Sequence, residues 1–160
     1  MHCTTKERQA LQEELTAILG QELGLFLDWM TREGQPPTLE AMEEQVHKLV
    51  FRLGLDLLQG AVNLAGTGYQ TEGPQCSCGQ EMEFERYQEK GTLTLFGPLR
   101  VRRAYYSCPV GHPGQAPLDA VLHLDHTGLS GGLQNALCRT VGRMPYAEAV
   151  NFLVSFHYPE

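Results

Sequence analysis

Apolar residues in the first part of the chain recur every three or four positions, which is the spacing of one face of an α-helix. They are Leu11, Leu15, Ile18, Leu19, Leu23, Phe26 and Met30. The pattern predicts a helix over about residues 6–32. The run Gly34-Gln35-Pro36-Pro37 then interrupts the periodicity, because proline lacks the amide N–H that a helix interior requires.

A second helix is predicted from Thr38, as N-cap, to about Ala65. A threonine hydroxyl accepts a bond from a free amide of the first turn, and the acidic residues that follow suit the positive end of the helix dipole. The apolar residues keep close to the three-four repeat of a packing seam: Leu39, Met42, Val46, Leu49, Leu53 and Leu57. The seam packs either against the first helix or against a second chain, and the sequence leaves both open.

Beyond a glycine-rich linker at residues 66–74, the periodicity changes from helical to alternating. Strands are predicted at residues 82–87, 92–96 and 99–107, with the turn at Gly97-Pro98. After the strands comes a short apolar segment at residues 118–124. A capped helix then begins near Ser130.

A further short helix is predicted to start at Tyr146, after the turn Gly142-Arg143-Met144-Pro145. Two short helices joined by such a turn are similar to the first part of a helix-turn-helix unit, although ordinary core helices have the same pattern. The predicted fold class is therefore α+β. It comprises a helical hairpin (residues 1–68), a zinc-ribbon-like antiparallel β module (69–116) and a short helical segment (117–160).

Two groups of potential metal ligands flank the predicted strands. The first reads Cys76-Ser77-Cys78-Gly79 and the second Cys108-Pro109-Val110-Gly111-His112. This spacing predicts one tetrahedral Zn²⁺ bound by Cys76, Cys78, Cys108 and His112. A site closed by four protein ligands builds structure and leaves no coordination position for a substrate.

Other cysteines and histidines have weaker claims. His123 and His126 are alternative sources of the fourth ligand or of a minor second site, although solvent-facing residues near a loop explain them as well. Cys3 and Cys138 are left over from the ligand set, and a reducing compartment would keep them as thiols.

The formal charge of −7 is unevenly distributed: residues 1–73 carry −6, residues 74–116 carry +1 and residues 117–160 carry −2. Only the β module is not acidic, so any contact with DNA is expected to be local. The candidate contacts are Arg100, Arg102, Arg103 and Tyr106 on the last strand, with Arg139 and Arg143 in the C-terminal segment. Strand alternation places Arg100, Arg102 and Tyr106 on one face. The alternative is a solvated face with cross-strand pairs to Glu83 or Glu85.

Several classes of protein are disfavoured. The first residues lack the apolar region of a signal peptide, and no apolar run reaches membrane-spanning length, which predicts a cytoplasmic protein without a membrane partner. Phosphate-binding loops, nucleophile elbows and His-Glu-x-x-His pairs are missing from the sequence. We therefore predict that the chain is not an enzyme and has no small-molecule substrate.

Parts of the second half resemble the N-terminal region of bacterial insertion-sequence transposases of the ISKra type. The resemblance rests on Cys76-x-Cys78-Gly79, on the run from Thr92 to Pro109, and on Pro117-Leu118-Asp119, Gly132-Leu133-Gln134 and Tyr146-x-Glu148-Ala149. One departure is that Gly111 stands where the family has the second cysteine of a Cys-x-x-Cys knuckle, and His112 is the substitute ligand.

The resemblance implies a zinc-ribbon and helical module of the kind that precedes an RNase H-like catalytic core. It predicts a non-catalytic, zinc-binding module for DNA binding and assembly, contacting transposon ends or a transposase. The alternative is an acidic protein-interaction module, acting by dimerisation or as an adaptor, in which the zinc is purely structural.

Overall fold

The computed structural model describes residues 4–32, 34, 36–124, 126–142 and 147–148. Two helices come first, α1 (Thr5–Met30) and α2 (Leu39–Leu64). At the start of α1, Thr4 accepts a hydrogen bond from the Glu7 amide, and the Glu7 carboxylate accepts one from the Thr4 amide. Such a reciprocal arrangement satisfies two amides that a helix start would leave free. The predicted helices are confirmed to within about two residues at each end.

The two helices form an antiparallel hairpin. An ion pair joins Glu22 to Arg52 at 2.7 Å, and Leu11 lies against Gly60 near the other end. Leu53 and Leu57 of the predicted seam share a groove with Leu15 and Leu19 of α1, so the first helix lies beside part of that seam. No described residue of α1 is buried, however, so the hairpin has little core of its own.

A two-stranded antiparallel sheet follows, formed by β1 (Glu83–Thr94) and β2 (Gly97–Ser107). The first two predicted strands are one continuous strand, because its polar middle, residues 88–91, stays paired with β2. The prediction of a turn at Gly97-Pro98 is wrong, since the turn residues are Leu95 and Phe96. The Thr94 hydroxyl closes this turn by accepting from the Phe96 amide and donating to the Gly97 carbonyl.

One face of the sheet packs against α2. Leu99 and Val101 of β2 form a buried cluster with Leu118, and α2 covers this cluster with Leu55, Leu58 and Val62. A second buried cluster lies at the opposite end of the sheet and comprises Cys76, Met82, Ala104, Tyr106 and Cys108. The sheet therefore links the helical hairpin to the cluster that contains Cys76 and Cys108.

Two short helices complete the described part, α3 (Pro117–Val121) and α4 (Gly131–Val141). The Ser130 hydroxyl accepts from the Leu133 amide, which confirms the predicted cap. The helix predicted to begin at Tyr146 lies mostly outside the described residues, as do Cys3 and Arg143. The layout is α+β, as predicted from the sequence. Among the described helices, none combines the length and the apolar character needed to cross a bilayer.

Candidate metal centre and the exposed face of the sheet

Two backbone turns of the same design present the candidate ligands. The Gly79 amide donates to the Cys76 carbonyl, and the Gly111 amide donates to the Cys108 carbonyl, each at 2.9 Å. Gly79 and Gly111 have φ angles of 85° and 87°, in the left-handed region that glycine adopts without steric cost. Gly111 is thus the turn counterpart of Gly79 and not a vacant ligand position.

The four predicted ligands converge. The Sγ atoms of Cys78 and Cys108 are 3.8 Å apart, and His112 Nδ1 lies 3.7 Å from Cys76 Sγ and 3.6 Å from Cys108 Sγ. All four ligand atoms lie within 4.8 Å of one another. A tetrahedral ion with bonds of about 2.3 Å to sulfur and about 2.0 Å to nitrogen would need S···S edges of about 3.8 Å and S···N edges of about 3.5 Å. The donor set therefore fits one four-coordinate metal ion.

The surrounding backbone holds both turns in place. Strand β2 ends at Ser107 and so delivers Cys108 at its end. Tyr106 and Gln115 exchange two backbone hydrogen bonds, of 2.9 and 3.0 Å, across the loop that contains His112. On the other side, the Cys76 amide donates to the Gln80 carbonyl at 2.8 Å. The ligands are thus positioned by ladder-like bonds at the end of the sheet.

The local electrostatics favour thiolates at two of the three cysteines. The Val110 amide and the His112 ring, which both donate to Cys108 Sγ, lower the pKa of the Cys108 thiol to about 6. The Cys78 amide likewise lowers the pKa of Cys76. The pKa of His112 is raised, because its ring donates to the sulfurs of Cys108 and Cys76. The pKa of the third thiol, Cys78, is raised. Because thiolate and neutral imidazole are the forms that bind a metal ion, binding would displace protons from Cys78 and His112 into solvent.

The remaining cysteine and histidine candidates do not join the cluster. His123 and His126 are exposed and are not part of the ligand group found among the described residues. Cys138 lies on α4 as an exposed free thiol. The fourth member of the cluster in the structure is His112.

Two of the predicted DNA contacts lie on an open part of the sheet. The side chain of Arg100 is 82% exposed, and its guanidinium is 3.9 Å from the Glu89 carboxylate. The Arg102 guanidinium lies over the ring of Tyr87, with Cζ 4.6 Å from the ring centroid. The Arg100–Glu89 contact is a cross-strand pair of the kind that the alternative predicts, although the partner is Glu89 and not Glu83 or Glu85. Glu85 pairs with Arg86 beside it.

Tyr106 is not available on that face, and this part of the prediction is wrong. Tyr106 is on the predicted side of β2 but is only 1% exposed. The segment after α2 crosses this end of the sheet, where the Tyr106 hydroxyl donates to the Gln70 carbonyl and accepts from the Gln70 amide. The residue anchors the linker to the sheet.

Arg103, another predicted DNA contact, is held in an ion pair. Its guanidinium is bonded to the Asp119 carboxylate of α3, which Lys90 approaches at 3.5 Å. Only 15% of the Arg103 side chain is exposed, so this arginine attaches α3 to the sheet. Arg139 is exposed in the last turn of α4.

Sequence reasoning missed a row of exposed aromatic rings beside Arg102. Tyr69, Phe84 and Tyr87 are 40–52% exposed, and successive ring centroids are 5.2 and 5.1 Å apart. Strict alternation would put Phe84 and Tyr87 on opposite faces, because they are three residues apart. A register shift between Phe84 and Arg86 inserts one residue and brings both rings to one face.

Comparison of the chain with protein-family models, with curated proteins and with solved structures gave no match. The likeness to insertion-sequence transposases therefore stays a prediction that rests on the motif residues alone.

Proposed function

We propose that this chain is a non-catalytic DNA-binding module whose β sheet is held in shape by one Zn²⁺. Three thiolates and one imidazole in tetrahedral arrangement are the ligand set that zinc prefers in structural sites. When bound, zinc would link Cys76 and Cys78 to Cys108 and His112. It would thereby stabilise a sheet too small to hold itself together by burial.

The observation that carries the proposal is the row formed by Tyr69, Phe84 and Tyr87, extended by Arg102. Aromatic rings stack on nucleic-acid bases of any sequence, and arginine binds phosphate through paired N–H groups. Exposed rings of this kind reach bases only when the bases are unpaired. The proposal therefore favours single-stranded DNA, or the frayed ends of a duplex, over an intact duplex. If the transposase likeness holds, such ends would be transposon ends.

Charge limits the expected affinity. The whole chain carries −7, and the segment containing the sheet carries +1 before three thiolates and Zn²⁺ add about −1. Arg103 and Lys90 are both engaged with Asp119. Few cations remain for phosphate, so stacking must supply much of the binding, and the salt dependence should be shallow.

The test is fluorescence anisotropy with a labelled single strand and the matching duplex, at roughly 50 and 200 mM salt. We expect Arg102→Gln and Tyr87→Leu each to weaken single-strand binding by about fivefold or more, since one stacked contact contributes about 1–3 kcal/mol. Arg32→Gln is the matched control, because Arg32 is an exposed arginine just beyond α1. An equal loss in all three variants, or no binding by the wild type, would contradict the proposal.

The alternative, an acidic protein-interaction module with structural zinc, is favoured by a different surface. The hairpin leaves large apolar side chains of both helices exposed, and such patches mark interaction sites in soluble proteins. The two roles occupy separate parts of the chain, so a single molecule can serve both as a DNA contact and as an assembly element.

A further inference from the structure

The helical hairpin has the length of a bundle but lacks the core of one. Its two helices have 26 residues each, and Gly60 is the only buried residue among those described in them. Seven large apolar side chains of the hairpin are 36–58% exposed. Leu25 lines a groove with Glu22 and Arg52, and the other six are Leu19, Leu23 and Leu27 of α1 and Val46, Val50 and Leu57 of α2. Amphipathic helices are normally stabilised by burying such a stripe.

These six side chains belong to one face of the hairpin. A groove between the helices is lined by six leucines: Leu11, Leu15, Leu19, Leu53, Leu57 and Leu64. Val50 and Val46 precede Leu57 by seven and eleven positions, and Leu23 and Leu27 follow Leu19 by four and eight, so the same stripes continue along both helices. Because α1 and α2 run antiparallel, the two stripes lie side by side over several turns.

The sheet reaches only the edge of this face, where the Phe96 ring of the β1–β2 turn lies against Gly54, between Val50 and Leu57 along α2. Helix α2 packs on the sheet with a different side, through Leu55, Leu58 and Val62. On the opposite side of the hairpin, a second groove contains the Glu22–Arg52 pair together with Leu25, Phe26 and Trp29. The exposed apolar stripe, formed by Leu19, Leu23, Leu27, Val46, Val50 and Leu57, is therefore a third surface of the hairpin. It is distinct from the side that packs on the sheet and from the groove that contains Glu22 and Arg52.

The leucine groove on this face carries almost no charge. Leu53, Leu57 and Leu64 share it with uncharged neighbours, and Arg8 is the one charged residue that lines the leucine groove. Residues 1–73 as a whole carry a net charge of −6, but that charge is not in the leucine groove. A partner recognised through its charge would need charged side chains on this face to bind to. An identical uncharged stripe of the same length is its natural complement.

We propose that a second copy of this chain docks on the stripe, so that two hairpins form a four-helix bundle about a two-fold axis. At exposed fractions of 36–58%, the six side chains together present on the order of 450 Å² per chain. Pairing two stripes would thus bury about 900 Å², and flanking leucines would bring the total toward the roughly 1,200–2,000 Å² of a stable interface. This inference goes beyond the DNA role and names the partner in the interaction role.

The test is the mass of the full zinc-loaded chain, measured by sedimentation equilibrium. We expect twice the 17.8 kDa of one chain. Val50→Glu and Leu57→Glu should each return the mass to that of one chain, because a buried charge has no partner in the bundle. Leu25→Glu is the matched control, since Leu25 is similarly exposed but lines the opposite groove. Circular dichroism verifies that each variant stays helical.

The salt dependence of dimerisation provides an independent test of this inference. Two hairpins of like charge repel, so added salt should strengthen the dimer, whereas it weakens DNA binding. A wild-type monomer at roughly 100 µM would overturn the inference, as would equal dissociation by Leu25→Glu. The inference would also be overturned if the wild type were a monomer and Leu57→Glu lowered its stability, because Leu57 would then be covered by residues of the same chain. Fluorescence anisotropy with labelled DNA on the same samples separates the two proposals. If the protein is a monomer and binds DNA, only the dimer proposal is overturned. If the protein is a dimer and does not bind DNA, only the DNA-binding proposal is overturned.

Discussion

His112 Nδ1 lies 3.6 Å from Cys108 Sγ, and the two residues are separated in sequence by Pro109, Val110 and the left-handed Gly111. The turn that Gly111 permits directs the imidazole back toward the sulfur. In the first turn the second ligand, Cys78, precedes the left-handed Gly79. The two halves of the metal centre therefore share a backbone design but place their second ligand on opposite sides of the glycine.

Loss of a single ligand should weaken zinc binding selectively. We expect Cys108→Ser and His112→Ala to lower the affinity for zinc by about tenfold or more, because each removes one of four metal bonds. Competition with a chromogenic chelator measures the change. Cys138→Ser is the control, since Cys138 is an exposed thiol outside the cluster. If His112→Ala kept the wild-type affinity, the fourth ligand would have to be sought elsewhere.

Asp119 should matter for stability because one carboxylate serves two cations. Asp119→Asn would leave Arg103 and Lys90 half-buried without their shared counter-charge. We expect the free energy of unfolding in urea to fall by about 2 kcal/mol, less than for a fully buried pair. Glu89→Gln removes only the exposed contact to Arg100 and should cost less than about 0.5 kcal/mol. Equal losses in the two variants would contradict this role of Asp119.

Tyr106 should act in folding and not in DNA binding. Tyr106→Phe removes the hydroxyl that donates to the Gln70 carbonyl and accepts from the Gln70 amide, at 2.9 and 2.6 Å. We expect a loss of about 1–3 kcal/mol in unfolding free energy, because two partly buried backbone groups lose their partner. Single-strand affinity of the folded protein should stay unchanged. A reduced affinity at unchanged stability would restore Tyr106 as a DNA contact.

Local sequence signals predicted the helices and the convergence of the four cysteine and histidine side chains well. The caps Thr38 and Ser130 formed as expected, since a hydroxyl before an apolar-periodic run has few other structural uses. The ligand cluster was predictable because cysteine spacing is constrained by metal geometry, which is largely independent of the rest of the fold.

What the sequence did not predict depends on contacts between distant segments. The burial of Tyr106 follows from the course of the linker around Gln70, which strand alternation does not encode. The aromatic row follows from the register shift beside Phe84. The turn at Leu95 and Phe96 lacks the usual turn residues, and hydrogen bonds from the Thr94 side chain close it instead.

The most direct test of the central claim, that a zinc-held sheet carries the DNA-binding surface, is one titration. Single-strand binding by the full chain is measured with zinc bound, after removal of zinc by a chelator, and after zinc is restored, with the metal content determined each time. The account predicts about one zinc per chain and a tenfold or greater loss of affinity that restored zinc reverses. Unchanged affinity in the zinc-free protein, or no binding by the zinc-loaded protein at low salt, would contradict it.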